Sequence, residues 1–251
     1  PPPSALLLVA AVAAVASPPP PTMASKSLFA FFDGRPLSSA ELIKAVKASP
    51  ALAKEVDGAT GNTALHFACC SGAPLSVVEA LLAAHPAAAA VCDADGNLPV
   101  VGAVANGCAA DVVRALLERH PDGVRARRGK HTLLHTACAC QQSIETVALL
   151  LERWPAAAAE RDAQGSAPLH FAAACQAPAA VVAALLESCP AAAGWRGEAD
   201  RYPLSLALLA EAPPAAVAAL RDAHPAACRA FEVVADYRNH GLGLGALAQE
   251  N

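Results

Sequence analysis

The stretch Gly61-Asn62-Thr63-Ala64-Leu65-His66-Phe67-Ala68 returns in altered form at intervals of 34 or 35 residues. The later copies span residues 96–103, 132–137, 165–172 and 202–207. Most copies combine a glycine turn with a threonine that can cap a helix, or with a proline at or near the first helical position. Each copy therefore predicts a turn followed by a short helix.

A second periodic feature is a proline after each apolar segment. Prolines stand at residues 50, 86, 121, 155, 190 and 225, separated by 36, 35, 34, 35 and 35 residues. Apolar residues precede them at helical spacing, as Val78, Leu81 and Leu82 precede Pro86. Because proline cannot continue a helix, each one predicts the end of a second helix. The repeating unit is thus turn, short helix, loop, second helix and loop.

This unit resembles the ankyrin repeat, whose signature is Gly-x-Thr-Pro-Leu-His-x-Ala, with Val-Val-x-x-Leu-Leu in the second helix. The resemblance covers roughly residues 27–231. The period exceeds the usual one of about 33 residues by roughly two, and a proline replaces the glycine usual after the second helix. The second copy lacks both the threonine and the histidine. A tetratricopeptide array has a similar period, but its Trp, Leu-Gly and Tyr positions are missing here.

The resemblance implies an all-α solenoid of ankyrin-like helix-turn-helix units with capping units at its ends. We divide the chain into a leader (1–26), an N-terminal cap (27–57), a repeat array (58–231) and a tail (232–251). The array holds five units, numbered one to five below: about 58–92, 93–126, 127–161, 162–196 and 197–231. Five units exceed the roughly three that such an array needs for stability.

The leader allows two interpretations. Its apolar run Ala5–Ala16 has the length of a signal-peptide core, and Ala14-Val15-Ala16 has the form of a cleavage site. It lacks a basic region, however, and Met23 is the only methionine, so we favour Met23 as the true start of the protein. Under either interpretation the run is shorter than the roughly 18–20 residues that span a bilayer, and we expect no membrane span.

Net charge and cysteine content narrow the classes of partner and compartment. The formal net charge is -4, and nucleic-acid binding requires clustered Lys and Arg, so we expect no nucleic-acid partner. The nine cysteines are odd in number, and several lie in apolar helical stretches, which argues against a disulfide framework. They favour a reduced, cytoplasmic setting. Secretion or membrane tethering is the alternative if the leader is a real signal.

Histidine and cysteine fall close together in two units, and both are zinc ligands or partners in nucleophilic catalysis. These residues are His66, Cys69 and Cys70 in unit one and His135, Cys138 and Cys140 in unit three. Their spacing is a by-product of the repeat, the two units are not adjacent, and no further carboxylate or histidine recurs to complete a site. No phosphate-binding loop or catalytic serine motif is present either. We therefore expect no metal, no cofactor and no enzymatic activity.

The resemblance also implies a structural role for residues of the first-helix signature. In that role the histidines bond to nearby loop backbone and stabilise the turns. The residues carried over in this way are Thr63, His66, Thr132, His135, Pro168 and His170.

In an ankyrin array the loops between units project as a row of fingers that line a concave groove and carry recognition. Here the first two fingers (57–62 and 93–97) are acidic or neutral, whereas the third (124–131) is strongly basic. Fingers three to five also contain Arg, Trp and Tyr, which are enriched at binding hot spots. We predict that these fingers bind an acidic segment of a partner protein. The predicted residues are Arg125, Arg127, Arg128, Lys130, His131, Arg161, Trp195, Arg196, Arg201 and Tyr202.

The competing interpretation of the third finger is a solvated turn whose charges are balanced by acids such as Asp122 and Glu160. Taken together, the sequence predicts a monomeric, non-catalytic adaptor or scaffold that binds another protein through the groove and finger loops. The alternative is a membrane-tethered or secreted ankyrin-type binding protein directed by the leader.

Overall fold

The structure is a computed structural model that describes residues 39–227. The leader, the start of the N-terminal cap and the tail 232–251 lie outside the described residues. Helix α1 (Ser39–Ala48) precedes five helix pairs. The first helices of the pairs are α2 (Ala64–Cys70), α4 (Pro99–Ala105), α6 (Leu133–Ala139), α8 (Pro168–Ala174) and α10 (Pro203–Leu209). The second helices are α3 (Leu75–Ala84), α5 (Ala110–Arg119), α7 (Ile144–Arg153), α9 (Ala179–Ser188) and α11 (Pro214–Ala223). The predicted all-α solenoid is confirmed.

The recurring prolines do more than end the second helices. Each second helix of units one to four ends two residues before its proline, and the proline then begins a short 3-10 helix. These segments are Pro86–Ala90, Pro121–Arg125, Pro155–Ala159 and Pro190–Gly194, and the equivalent segment Pro50–Lys54 follows α1. Proline is favoured there because the first residues of a helix have no intrahelical use for their backbone N–H.

The core runs through all described units as one apolar cluster. Valine and leucine from the second helices supply most of its volume, as Val113, Leu116 and Leu117 do in unit two. Each first helix adds an alanine without exposed surface at the same register: Ala68, Ala103, Ala137, Ala172 and Ala207. So small a residue lets helices of neighbouring units approach closely and pack without voids.

The turn between the two helices of each unit needs a left-handed residue. Units one and two use Gly72 and Gly107, with φ of 67° and 75°. Units three and four use Gln141 and Gln176, with φ of 52° and 59°, where a side chain is strained. Each of these glutamines donates its side-chain N–H to a carbonyl of the following unit, that of Cys175 or Ala210, which offsets the strain.

The described strands form a single hairpin in the third finger. Strand β1 (Arg127–Arg128) pairs antiparallel with β2 (His131–Thr132). The turn between them is Gly129-Lys130, and Gly129 has a φ of 59°. Between residues 39 and 227, no helix has both the length and the apolar character needed to cross a membrane.

Candidate protein-binding surface

In the folded array each finger is grouped with the first helix that follows it, so Cys92 counts with unit two, residues 124–126 with unit three, residues 160–161 with unit four and residues 195–196 with unit five. The signature histidines link each first helix to the loop of the next unit. In unit three, Nδ1 of His135 accepts the backbone N–H of Thr132 at 3.3 Å, and Nε2 lies 3.1 Å from the carbonyl oxygen of Ser166. His66 makes the same two contacts with Thr63 and with the carbonyl of Asn97, both at 3.1 Å. Since Nδ1 accepts a hydrogen bond, the proton of the neutral ring is on Nε2, which donates to the loop carbonyl.

His170 repeats this arrangement in unit four. Its Nδ1 accepts from the backbone N–H of Ala167 at 3.1 Å, and its Nε2 lies 3.0 Å from the carbonyl oxygen of Trp195. Pro168 is the first residue of α8 and is buried, which places His170 two positions into the helix. Burial lowers the pKa of both His135 and His170 to about 4, and that of His66 in the same direction. All three imidazoles are therefore neutral at neutral pH.

The cysteines beside these histidines are protonated thiols. Burial raises the pKa of Cys69, Cys70, Cys138 and Cys140, that of Cys108 to about 11 and that of Cys175 to about 12. A thiolate is the form that attacks or binds metal, so none of these side chains is poised for either role. Within the described part of the chain, no group of three His, Cys, Asp or Glu residues is placed to hold a metal ion.

The turns of fingers two and four are closed by an aspartate. Oδ1 of Asp93 accepts the backbone N–H groups of Asp95 and Asn97 at 2.9 and 2.8 Å. Oδ1 of Asp162 accepts those of Gln164 and Ser166 at the same two distances. Each aspartate stands seven residues after the proline that opens the preceding 3-10 helix. Both carboxylates therefore serve as hydrogen-bond acceptors within their own turns.

The third finger has an arginine where the first, second and fourth fingers have an aspartate, and the fifth finger has Gly197 at this register. Arg128 stands seven residues after Pro121, and the loop closes as the β1–β2 hairpin instead of an aspartate turn. Its neighbour Arg127 is engaged, because its Nη2 lies 2.7 Å from Oε2 of Glu160 on the next unit. Among the described residues, no side-chain hydrogen bond or ion pair engages Arg128 or Lys130. The third finger therefore keeps two cations available.

His131 is part of a link between fingers three and four. Its Nε2 lies 3.5 Å from Oδ2 of Asp162, an atom with no hydrogen-bond partner in the described residues. The Asp162 side chain is fully buried, and its burial alone would raise the pKa; the nearby His131 ring and hydrogen bonds from two backbone N–H groups outweigh this, so the pKa is lowered. The His131 ring also packs edge-on against Phe171, with centroids 5.3 Å apart.

Arg161 and Trp195 hold the fourth and fifth fingers together. Nε of Arg161 donates to the carbonyl of Gly165, and Nη2 donates to the carbonyl of Arg196, both at 2.6 Å. The guanidinium also lies over the Trp195 ring, 5.3 Å from its centroid. The side chains of these two predicted contact residues are thus engaged in contacts within the array.

In the fifth finger, Arg196 is likewise engaged. Its guanidinium lies 4.9 Å from the centroid of the Tyr202 ring, its Nε donates to the Tyr202 hydroxyl at 3.1 Å, and its Nη1 pairs with Asp200. Arg201 is half-buried, and no hydrogen bond or ion pair of its side chain occurs among the described residues. Arg125 extends over Trp154 of its own unit, 6.0 Å from the ring centroid.

The structure thus separates the ten predicted residues into three groups. Six side chains are engaged in contacts within the array: Arg127, His131, Arg161, Trp195, Arg196 and Tyr202. Arg128, Lys130 and Arg201 are available, and Arg125 rests on an aromatic ring. Asp162 and Trp154 are not among the predicted residues. Alignment of the units by their prolines would have revealed the turn aspartates, and with them the exception at Arg128.

The inner wall, formed by the last residue of each first helix and the residue after it, is made of small side chains. Cys70, Ala105 and Cys140 are half-buried, whereas Ala174 and Cys175 are buried. The accessible part of the wall therefore lies mainly in units one to three, next to the third finger.

Comparisons with known proteins agree with this architecture. The family model for ankyrin repeats in three copies matches residues 101–193, and the single ankyrin repeat model matches residues 60–95. No curated protein sequence matches this chain. A chain in the solved complex of the Bd0816 predatory endopeptidase from Bdellovibrio bacteriovorus with immunity protein Bd3460 has a similar structure. Its TM-score is 0.61 at 21% identity, covering 80% of this chain and 99% of that chain, which is a likeness of fold alone.

The two matched ranges account for about half of the 251 residues. They fall on the helix pairs and finger loops described above. The family consists of protein–protein interaction modules and is generally non-catalytic. The chain belongs to the ankyrin repeat family.

Proposed function

We propose that this protein is a non-catalytic adaptor or scaffold that binds an acidic segment of a partner protein beside the third finger. The observation that carries the proposal is the pair Arg128 and Lys130. Arg128 occupies the register that aspartates fill in the first, second and fourth fingers, and neither cation is neutralised among the described residues. A carboxylate-bearing segment is the ligand that complements them.

The position of the pair supports groove binding. The third finger lies next to the accessible part of the inner wall, where Cys70, Ala105 and Cys140 leave room for a close-fitting chain. Six predicted contact residues are already engaged, so we place the centre of the site at Arg128 and Lys130, with Arg201 and Arg125 as further cations along the same row of fingers. Because exposed charges mainly set association rate and specificity, the wall supplies most of the remaining binding energy.

We also propose that the protein acts as a monomer in the cytoplasm. Large hydrophobic side chains exposed in the described residues are limited to Val56 and Leu208, which leaves little apolar area for self-association. The eight cysteines of the described residues are free thiols, as expected for a reducing compartment. Localisation of the full-length protein in cells, with mass spectrometry of its N-terminus, tests this part.

The test compares three proteins in affinity capture from native lysate. One is the unchanged chain, one carries Arg128→Glu and Lys130→Glu, and one carries Arg114→Glu and Arg119→Glu. The last pair makes the same charge change at two exposed positions of the second helix α5. Exposed charges contribute little to folding, so all three should be equally stable. Arg127 is left unchanged because its substitution would also break the contact with Glu160.

We expect a partner that the unchanged chain and the α5 variant capture and the finger variant loses. Its affinity for the finger variant should fall about tenfold or more, with a weaker dependence on salt. Equal capture by all three proteins would contradict the site at the third finger while leaving protein binding intact. Capture by none would contradict the adaptor proposal itself.

A further inference from the structure

We propose that the array has a weak junction between units two and three, where units one and two open and unfold apart from units three to five. This goes beyond binding, because it concerns how the scaffold itself moves. It follows from the polar contacts between successive units, which differ from junction to junction.

The junction between units three and four has four polar side-chain links. They are Arg127 to Glu160 at 2.7 Å, His131 to Asp162 at 3.5 Å, His135 to the carbonyl of Ser166 at 3.1 Å, and Gln141 to the carbonyl of Cys175. The fully buried His135 makes the most protected of them. Polar side-chain contacts therefore join these two units at the finger, at the first helix and at the turn between the two helices of a pair.

The junction between units four and five also has four polar links. Its links are Arg161 to the carbonyl of Arg196 at 2.6 Å, His170 to the carbonyl of Trp195 at 3.0 Å, the N–H of Glu198 to Oγ of Ser166 at 3.0 Å, and Gln176 to the carbonyl of Ala210. Gly197 also packs closely here, because a Cβ at that position would lie 2.5 Å from Oγ of Ser166.

The junction between units two and three has one such link in the described structure. Nε2 of Gln142 donates to the carbonyl of Val104 at 2.8 Å. The histidine position of unit two is Val101, which is buried and has no donor for the next loop. The arginine position that Arg127 and Arg161 fill in later units is Cys92. Net hydrogen bonds each change an opening equilibrium by up to about tenfold, so this junction opens more readily.

Helix α4 of unit two is also a weak helix in itself. Three of its seven residues are valines and a fourth is Gly102, all unfavourable in helices. Its N-cap residue is Leu98, which makes no side-chain hydrogen bond, whereas Thr63 and Thr132 cap α2 and α6. The weakness of α4 and the scarcity of links coincide at the same junction.

The apolar stack continues across this junction and keeps it closed most of the time. Val112, Val113, Leu116 and Leu117 of α5 belong to the same core as the residues of unit three. In a repeat array, stability is a sum of unit and neighbour terms, so the weakest neighbour term decides where the array divides. Opening is therefore local and reversible.

Hydrogen exchange of the full chain under native conditions tests the proposal. Amides of α4 should exchange about tenfold or more faster than those of α6 and α8, which have the same length and the same place in their units. Equal protection of the three helices would overturn the proposal. This measurement needs no variant and cannot fail through misfolding.

A pair of matched variants then tests whether the cap and histidine residues decide which first helix exchanges fastest. Leu98→Thr with Val101→His gives unit two the capping threonine and the histidine, and should slow exchange of α4 about tenfold. Thr132→Leu with His135→Val gives unit three the residues of unit two, and should bring fast exchange to α6 while α8 stays protected. If both variants fold and neither changes the ranking of the helices, the proposal is wrong.

Discussion

Units two and three have the same pair of helices but different means of attachment to the next unit. Unit two offers Leu98, Val101 and Cys92 at the positions where unit three has Thr132, His135 and Arg127. The apolar core is continuous through both, yet only unit three reaches its successor through a buried imidazole, an ion pair and a side-chain amide. Apolar burial thus builds the stack, and polar side chains decide how firmly each unit is joined to the next.

Acidification should have the largest effect, and it should act on the units that have a signature histidine, which unit two lacks. The pKa of His135 and His170 is about 4 in the folded chain, against an ordinary value of 6.5. Between these pH values the unfolded chain binds more protons, so the free energy of unfolding is greatest above pH 6.5 and falls as pH approaches 4. The loss is on the order of 3 kcal/mol for each histidine.

Urea unfolding at pH 7 and pH 4.5, followed by circular dichroism, measures this loss. A His135→Gln, His170→Gln variant should lose less stability between the two pH values, whatever its stability at pH 7. An unchanged pH dependence in that variant would show that other groups cause the loss.

The next largest effect is expected from truncation of the unit-three histidine, which should cost more stability than truncation of the valine at the same position of unit two. His135→Ala removes three hydrogen bonds, leaves the carbonyl of Ser166 without its donor and opens a cavity, so it should cost about 3–4 kcal/mol. Val101→Ala removes only apolar volume and should cost about 1–2 kcal/mol. Chemical denaturation of both variants at pH 7 measures the difference, and equal losses would contradict the role assigned to the imidazole.

A close approach between fingers four and five gives the third prediction. A Cβ at Gly197 would lie 2.5 Å from Oγ of Ser166 and 2.8 Å from Cδ2 of His170, so Gly197→Ala should cost about 2 kcal/mol. Gly58→Ala in the first finger is the control, since no atom lies within 4 Å of its added Cβ. That control should change stability by less than about 0.5 kcal/mol. Thermal unfolding of both variants decides the comparison.

The smallest effect is expected from the exposed ion pair. Arg127→Ala should cost less than about 1 kcal/mol, because both partners are part-exposed to solvent. A double-mutant cycle with Glu160→Ala isolates the pair, and added salt should weaken its coupling. A coupling above about 2 kcal/mol would mean that the buried links contribute less than we infer.

The sequence predicted the helix pairs well because their signal is repeated. Five copies of the first-helix stretch and the periodic prolines made the architecture evident. The 3-10 helices after the prolines were missed, since a proline at the end of one helix and a proline at the start of another look alike in sequence. The glutamines in left-handed conformation were missed because glycine is the usual signal for that backbone.

The candidate site was harder to predict for a physical reason. Composition identified the basic third finger, but it could not distinguish cations that are free from cations that are engaged. Arg161 and Arg196 look like contact residues in sequence, and both are held by carbonyl, carboxylate or hydroxyl groups of the array. Such pairings join residues up to about one unit apart in the chain, and only the folded loops bring them together.

Most of the side-chain links also have a direction along the chain, although Gln142 donates back to Val104 and the N–H of Glu198 donates back to Ser166. His66, His135, His170, Arg127, Arg161, Gln141 and Gln176 all donate from an earlier unit to an acceptor on the following one. During synthesis a unit that leaves the ribosome therefore carries donors whose acceptors have yet to be translated. Each unit completes its predecessor, so a ribosome that stalls after unit four leaves His170 unpaired at the growing end. Loss of units from the other end leaves mainly acceptors, such as the carbonyl of Ser166, that water can satisfy.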